Sequence, residues 1–394
     1  MALDLSRHIA ITGMGVVGVF GTNAKELWQW LDDDQTNFGP SSRYYSPLPC
    51  AESVRPDMRR MFRSGQLSRA PLISQFAVAA VHMAMEQAGI DTNKGADVDS
   101  IGMVYGTSNG PGVATQKIYD DFIEKGASGV KPRVFQESVF NAPASLCSIH
   151  FKIKGPIQVL PAGANSGATV LYQAQMLLAR PSIKNVIVLC SDELCEAIQS
   201  GLRALRWHIA PAGDLSARPE KGRGGIMSEG AVALVLERAD AAIKRGATPL
   251  VELAGVSTTN DAFRIARPAE DGRGLALAIK QSLDDANEPA EAVDLILNGS
   301  TGTSVDDLLE DAAIEAVYGD AQPHRATSKR HIGVAGGTSV LFDVALAVEV
   351  LRRSRVPAPL AKTTNQNKNI NTIMCNGIGL NGLYGAVLIR RPVW

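Results

Sequence analysis

Gly155-Pro156-Ile157-Gln158-Val159-Leu160-Pro161-Ala162-Gly163-Ala164-Asn165-Ser166-Gly167 is the stretch on which the fold turns. It reads as a buried strand, a tight turn of small residues, and the entry into a helix from Ala168 to Leu178. Such a strand–turn–helix lifts one side chain to a helix N-terminus, where backbone N–H groups and the dipole favour developing negative charge. Acyl-transfer enzymes place a nucleophilic Ser or Cys at this kind of elbow. Here the apex carries Ala162, Gly163 and Ala164. The housing of a nucleophile is present without the nucleophile.

Outward from the elbow, the chain repeats itself. An amphipathic segment from Ala77 to Gly89 precedes an apolar run, Val98 to Tyr105, and the triplet Gly106-Thr107-Ser108. The second half gives Leu275 to Ala286, then Val293 to Leu297, then Gly302-Thr303-Ser304. Each half opens on a short apolar strand, Ile9 to Gly13 and Leu250 to Gly255. Each later feeds a glycine-rich turn into a helix, at Ala162 to Leu178 and Gly333 to Val350. Short apolar runs alternating with helices predict parallel βαβ units covered on both faces. Two such units stacked predict a layered α/β/α/β/α body.

The 394 residues exceed one average domain, which agrees with a duplication. Hydrophobic residues make up 45% and charged residues 20%, the balance of a soluble globular chain with a large core. A net charge of −1 argues against nucleic acid or an anionic membrane as partner. The five cysteines, Cys50, Cys147, Cys190, Cys195 and Cys375, are scattered and form no CxxC pair. That pattern points to a reduced compartment without structural zinc. No metal and no cofactor is expected. No cleavable leader and no long apolar run is legible, so a cytoplasmic location without membrane insertion is the expectation. Residues 32–70, rich in Asp, Ser, Pro and Arg, read as an irregular surface cap. Within it Arg55, Arg59, Arg60, Arg63 and Arg69 form a basic run. Such runs are ordinarily solvated faces; the functional reading is a dock for an acidic partner protein.

Taken in order, these motifs resemble the β-ketoacyl-ACP synthase family. The resemblance extends from Ile9 to Arg391. It rests on Ile11-Thr12-Gly13-Met14-Gly15-Val16-Val17, on Gly155-Pro156, on Ser216 to Pro219 with Ser228 to Ala231, and on Asn298 to Ser304. It continues through Ser328-Lys329, Gly333 to Ser339 and Cys375 to Gly382. The resemblance implies a duplicated thiolase-like fold with two central mixed sheets. Its halves would be residues 1–249, with the cap around 32–70, and residues 250–394. The family's chemistry needs an elbow Cys to carry the acyl chain and two His residues to drive decarboxylation. The corresponding positions hold Ala164, Thr301 and Val334, while Lys329 is retained. His331 lies three residues from Val334 and fits only a shifted register. The remaining histidines, His8, His82, His150, His208 and His324, fall outside the motifs.

Loss of all three groups resembles the chain-length-factor subclass of type II polyketide synthases, whose members often carry Gln where this chain has Ala164. A narrower home among polyene-forming, aryl polyene-type systems is consistent with it. The resemblance implies a subunit that is not catalytic on its own. It would form a heterodimer with a catalytic β-ketoacyl-ACP synthase subunit through the strand Ile157 to Pro161, shape the acyl channel, and meet acyl carrier protein through the complex. Carrier docking would fall on Arg55, Arg59, Arg60, Arg63 and Arg69. Phe122, Phe135 and Phe140 match the family region that walls the partner's channel, and core aromatics is the plainer alternative. Ile378 and Leu380 replace the family's two gating Phe residues, or belong to an ordinary core loop. Two other functions stay open: relocated acyl-transfer or hydrolytic chemistry on Ser166, Ser300, Thr301 or Thr303, and a homodimeric acyl-binding scaffold.

Overall fold

The computed structural model describes residues 5–46, 48–63, 65–205, 207, 224–264, 267–360 and 369–394. The motif Ser216 to Pro219 and His208 lie outside them. Among the described residues twelve strands occur in chain order: β1 (Ile9–Val17), β2 (Cys50–Ala51), β3 (Ile101–Gly106), β4 (Ile157–Leu160), β5 (Asn185–Asp192), β6 (Met227–Ser228), β7 (Gly230–Arg238), β8 (Val251–Asn260), β9 (Leu295–Leu297), β10 (His324–Ala326), β11 (Thr372–Ile378) and β12 (Leu383–Arg390). β2 and β6 form a small parallel pair that ties the cap down. The other ten form one sheet in the order β10-β9-β11-β12-β8-β1-β7-β5-β3-β4.

That order is a palindrome of two halves. β4-β3-β5-β7-β1 from the first half mirrors β10-β9-β11-β12-β8 from the second, as the repeat predicts. In each half three strands run parallel and the two nearest the seam run antiparallel. The two sheets are thus present as five-stranded halves. They join where Ile9, Ala10 and Ile11 pair with Leu253, Glu252 and Val251.

Burial follows the layers. Val186 and Val188 of β5 point to a central core, whereas Ile187 and Leu189 point to an outer one. On β11, Ile373 and Cys375 face the centre and Met374 the other outer layer. Strands buried on both faces read as continuous apolar runs, which is why the alternation was invisible in sequence. The central layer is the helix pair Ser166–Leu178 and Ser339–Arg353. They meet at Gly167, where a Cβ would lie 2.8 Å from Val340 Cβ. The helix Leu72–Ala88 covers the first half and Arg273–Ala286 the second. Together these give the α/β/α/β/α order.

Two local expectations are corrected. β1 does not stop at Gly13 but runs to Val17. Its glycines serve close packing: a Cβ on Gly13 or Gly15 would sit 2.0 Å from the carbonyl oxygen of Ala84 or Ala80. β4 is not a buried strand. It is the outermost strand of its half, and Ile157 is 39% exposed. Val159 and Leu160 pack against the cores, while the outer edge of the strand leaves backbone groups unpaired within the sheet.

Candidate functional site

The elbow forms because β4 ends at Leu160 and Pro161 forbids further ladder pairing. The chain then turns through Gly163, whose φ of 61° lies in the left-handed region that glycine adopts without strain. A 3-10 turn, Gly163–Asn165, leads into the helix at Ser166. Ser166 Oγ lies 2.8 Å from Gly163 O and 2.9 Å from Thr107 O, and accepts the Ala162 N–H at 3.1 Å. Ala164 occupies the turn with its methyl half-buried.

The glycine turn of the second half closes over this elbow. A Cβ on Gly337 would lie 2.8 Å from Ser166 Cβ. Asp192, at the end of β5, holds both parts. Its Oδ1 accepts the Thr107 hydroxyl at 2.9 Å and the Ser108 N–H at 2.7 Å. Its Oδ2 accepts the Thr338 N–H at 3.1 Å and hydroxyl at 3.0 Å. Burial pushes this carboxyl up to about 6 despite those donors.

Thr301, Val334 and Lys329 line one cavity of about 130 Å³, together with Ser300, Asp307 and Arg325. A Cβ on Gly225 would meet Thr301 O at 2.7 Å and Val334 Cγ2 at 3.2 Å, so the two positions flank one point. Ala164 is not among the lining residues. Thr301 donates its hydroxyl to Asp306, whose carboxyl is raised by burial. Ser300 donates to Asp307 at 2.8 Å. Glu310 accepts the N–H groups of Gly299 and Ser300 at 2.8 and 3.0 Å. Lys329 Nζ donates to Asn298 O at 2.5 Å and to Asp343 at 2.7 Å. The lysine is thus buried in an ion pair with Asp343.

The remaining candidate nucleophiles are occupied or inert. Thr303 caps the helix Ser304–Tyr318 by accepting the Asp306 N–H. All five cysteines are buried. Burial pushes Cys50 up to about 12 and raises Cys147, Cys190, Cys195 and Cys375 as well. His331 is engaged by the cap, its Nε2 3.0 Å from Asp34, and with His324 it lines an adjoining outer cleft of about 820 Å³. The 130 Å³ cavity therefore contains no thiol or imidazole among the described residues.

The structure separates the other sequence candidates. Phe122, Phe135 and Phe140 are 52%, 59% and 45% exposed, so the core-aromatic alternative does not hold. Ile378 is the opposite case: it ends β11 buried in the second outer core, in the cluster that also holds Leu275, Leu309 and Tyr384. A Gly-Ile-Gly sequence carries no sign of which face the Ile takes. Leu380 sits on the exposed turn between β11 and β12. Arg55, Arg59, Arg60, Arg63 and Arg69 are all exposed. Arg55 and Arg69 line a surface groove of about 750 Å³, joined there by Lys117, Lys131 and Arg133. Sequence reasoning missed Asp192, Glu193 and Glu229, which are buried beneath these features. Two consecutive acids closing the apolar run Val186 to Cys190 were the available signal.

Residues 6–242 match the β-ketoacyl synthase N-terminal domain, and residues 250–379 match the β-ketoacyl synthase C-terminal domain. The 3-oxoacyl-[acyl-carrier-protein] synthase 2 of Coxiella burnetii is 26% identical, across 98% of this chain and 99% of that protein. Nodulation protein E of Rhizobium meliloti is 28% identical, across 99% and 100%. Among solved structures, the ishigamide ketosynthase/chain length factor superposes with a TM-score of 0.86 at 21% identity, covering 98% of this chain and 100% of that one. The ketosynthase ApeO in complex with its chain length factor ApeC, from Xenorhabdus doucetiae, gives 0.80 at 18% identity with full coverage of both chains. These likenesses show the shared fold.

Proposed function

The chain belongs to the β-ketoacyl synthase family, and we propose that within it the protein is a non-catalytic, chain-length-factor subunit. In this reading it pairs with a catalytic synthase and shapes the channel into which an acyl or polyketide chain grows. One observation carries the reading: the elbow is built and a cavity is lined by Thr301, Val334 and Lys329, yet Ala164, Thr301 and Val334 supply neither thiolate nor imidazole. Condensation needs a nucleophile to hold the acyl group and a polarising group for the malonyl thioester. Loss of one member of such a unit forfeits several orders of magnitude in rate.

The surface supports a partner. β4 presents a free edge, and the helices on either side of it in the chain expose Ile149, Tyr172 and Met176. Pairing of that edge with its counterpart would satisfy the open backbone groups and bury apolar area of obligate size, on the order of 2,000 Å² or more. Phe122, Phe135 and Phe140 then find cover as part of the channel wall. The groove carrying Arg55, Arg69, Lys117 and Lys131, basic on balance against Asp120, Glu137, Glu193 and Glu196, suits an acidic carrier protein reaching the complex. A polyene-type system remains the narrower assignment.

The test is co-expression with a β-ketoacyl synthase, followed by size exclusion and native mass spectrometry. A one-to-one complex that elongates, beside an isolated subunit that does not, is the expected result. A chain that stays monomeric or homodimeric beside every synthase offered, or that condenses alone, overturns the reading.

A further inference from the structure

Two helices meet beside the basic groove, and neither caps itself. Leu72–Ala88 starts after Pro71 and Gly112–Lys125 after Pro111, and neither proline offers a side-chain cap. A proline side chain has no oxygen to accept the orphan N–H groups of a first helical turn. Both helices borrow the same distant carboxylate. Glu193 Oε1 accepts the Val113 N–H at 3.0 Å, and Glu193 Oε2 accepts the Ile73 N–H at 3.4 Å. A negative group placed between two helix N-termini is stabilised by both dipoles.

Glu193 is itself fixed from behind. The next residue, Leu194, donates its N–H to Glu229 Oε2 at 2.8 Å. Glu229 Oε1 accepts Arg43 at 2.7 Å and the Ser53 N–H at 3.1 Å. Contact tightens the joint further, since a Cβ on Gly112 would lie 2.8 Å from Cys195 Sγ. The two helices differ in what stands behind them. Leu72–Ala88 is anchored in the outer core through Phe76, Val78 and Val81. Gly112–Lys125 buries only Ala114 and Asp121 and exposes Val113, Tyr119, Phe122 and Ile123. It packs on the helices Pro132–Ser138 and Glu196–Ala204, and the Glu193 carboxylate ties its N-terminus to the core-anchored Leu72–Ala88 helix.

We propose that Glu193 is a positioning residue for the channel wall: it pins the Gly112–Lys125 helix to the fixed Leu72–Ala88 helix, and so sets how far Phe122 stands into the shared channel. The inference rests on the chain-shaping role proposed above. Glu193 touches no substrate and acts through the helix.

Glu193→Gln keeps shape but only one acceptor oxygen, so the two N-termini no longer have an oxygen each. In the folded subunit, amide exchange across residues 112–118 is expected to quicken at least about fivefold, while residues 76–88 stay protected. In the complex with the synthase, the product-length distribution is expected to shift. Glu193→Asp, which keeps the charge at shorter reach, falls between. Val113→Pro provides a second route: it deletes the donor within the first turn, where proline is tolerated, and leaves the carboxylate in place. It is expected to give the same exchange pattern, and it decides the matter where Glu193→Gln does not fold. Unchanged exchange in 112–118 overturns the tether. Faster exchange with unchanged product length overturns the positioning role. Substitutions of Phe122, Phe135 and Phe140 that also leave length unchanged would place the failure in the channel reading instead.

Discussion

Ala164 shows how little of an active site a fold needs to keep. The turn, the helix N-terminus and the Ser166 hydrogen bonds that stiffen it all persist around a methyl group. Ala164→Cys would place a thiol at that N-terminus, where its pKa falls and it becomes alkylatable. Iodoacetamide labelling followed by mass spectrometry is expected to find it modified. With Thr301 committed to Asp306 and Val334 packed beside Trp207, no imidazole polarises the malonyl thioester, so elongation stays absent. Chain growth by this variant without a synthase would reclassify the subunit as a latent enzyme. Glu193 and Asp192 make a second residue-scale prediction. Burial is the main cause that raises Glu193 from 4.5 to about 7, with Glu229 adding repulsion and Arg43 opposing it. Asp192 rises from 3.8 to about 6. A carboxyl whose folded pKa is raised stabilises the fold fully below its unfolded value and loses that contribution as pH climbs through the folded one. Resistance to urea should therefore be lower at pH 8 than at pH 5, by at most about 3 kcal/mol for each group. Glu193→Gln should flatten that slope; a slope identical to the parent's would show that Glu193 titrates normally.

At the scale of elements, the sequence was most readable where spacing alone decided. The repeat placed both glycine turns and both central helices, because a helix entered from a small-residue turn announces itself in residue type. Facing direction was not readable. Ile157 and Ile378 are equally apolar in sequence, yet one lies on a free sheet edge and the other in a sealed outer core. Only strand order distinguishes them, and strand order is a property of the whole sheet. The same limit hid Glu193, whose partners Val113 and Ile73 are 80 and 120 residues away. The exposed faces of Gly112–Lys125 and Pro132–Ser138 carry their own prediction. Phe122→Ala, Phe135→Ala or Phe140→Ala should lengthen the products of the synthase complex. Because these rings are about half exposed in the subunit, each change should cost the isolated chain well under the ~3–5 kcal/mol of a buried Phe. Mass spectrometry of products beside thermal melts of the subunit separates the effects, and unchanged length in three folded complexes would remove these residues from the channel.

The whole molecule behaves as one core with two histories. The largest apolar cluster draws Val170 and Leu171 from the first half and Leu341, Leu346 and Ile373 from the second, so neither half owns it. Asp192 adds a polar stitch, binding Thr107 and Ser108 of one half and Thr338 of the other through a single buried carboxylate. The β1–β8 seam adds backbone pairing across the same boundary. Cutting the chain at 249/250 would expose the inner faces of both central helices at once. At about 25 cal/mol per Å², newly exposing about 600 Å² of apolar surface is enough to offset the 5–15 kcal/mol that holds a typical domain together. Neither fragment 1–249 nor fragment 250–394 is therefore expected to fold alone, although each carries a complete five-stranded set. The intact chain should unfold in one calorimetric transition whose van't Hoff and calorimetric enthalpies agree. Gly167→Leu, which forces a side chain into the 2.8 Å approach to Val340, should lower that single transition as a whole and not split it. Two resolved transitions, or a soluble fragment with dispersed amide resonances, would show that the duplicated halves still stand as separate domains.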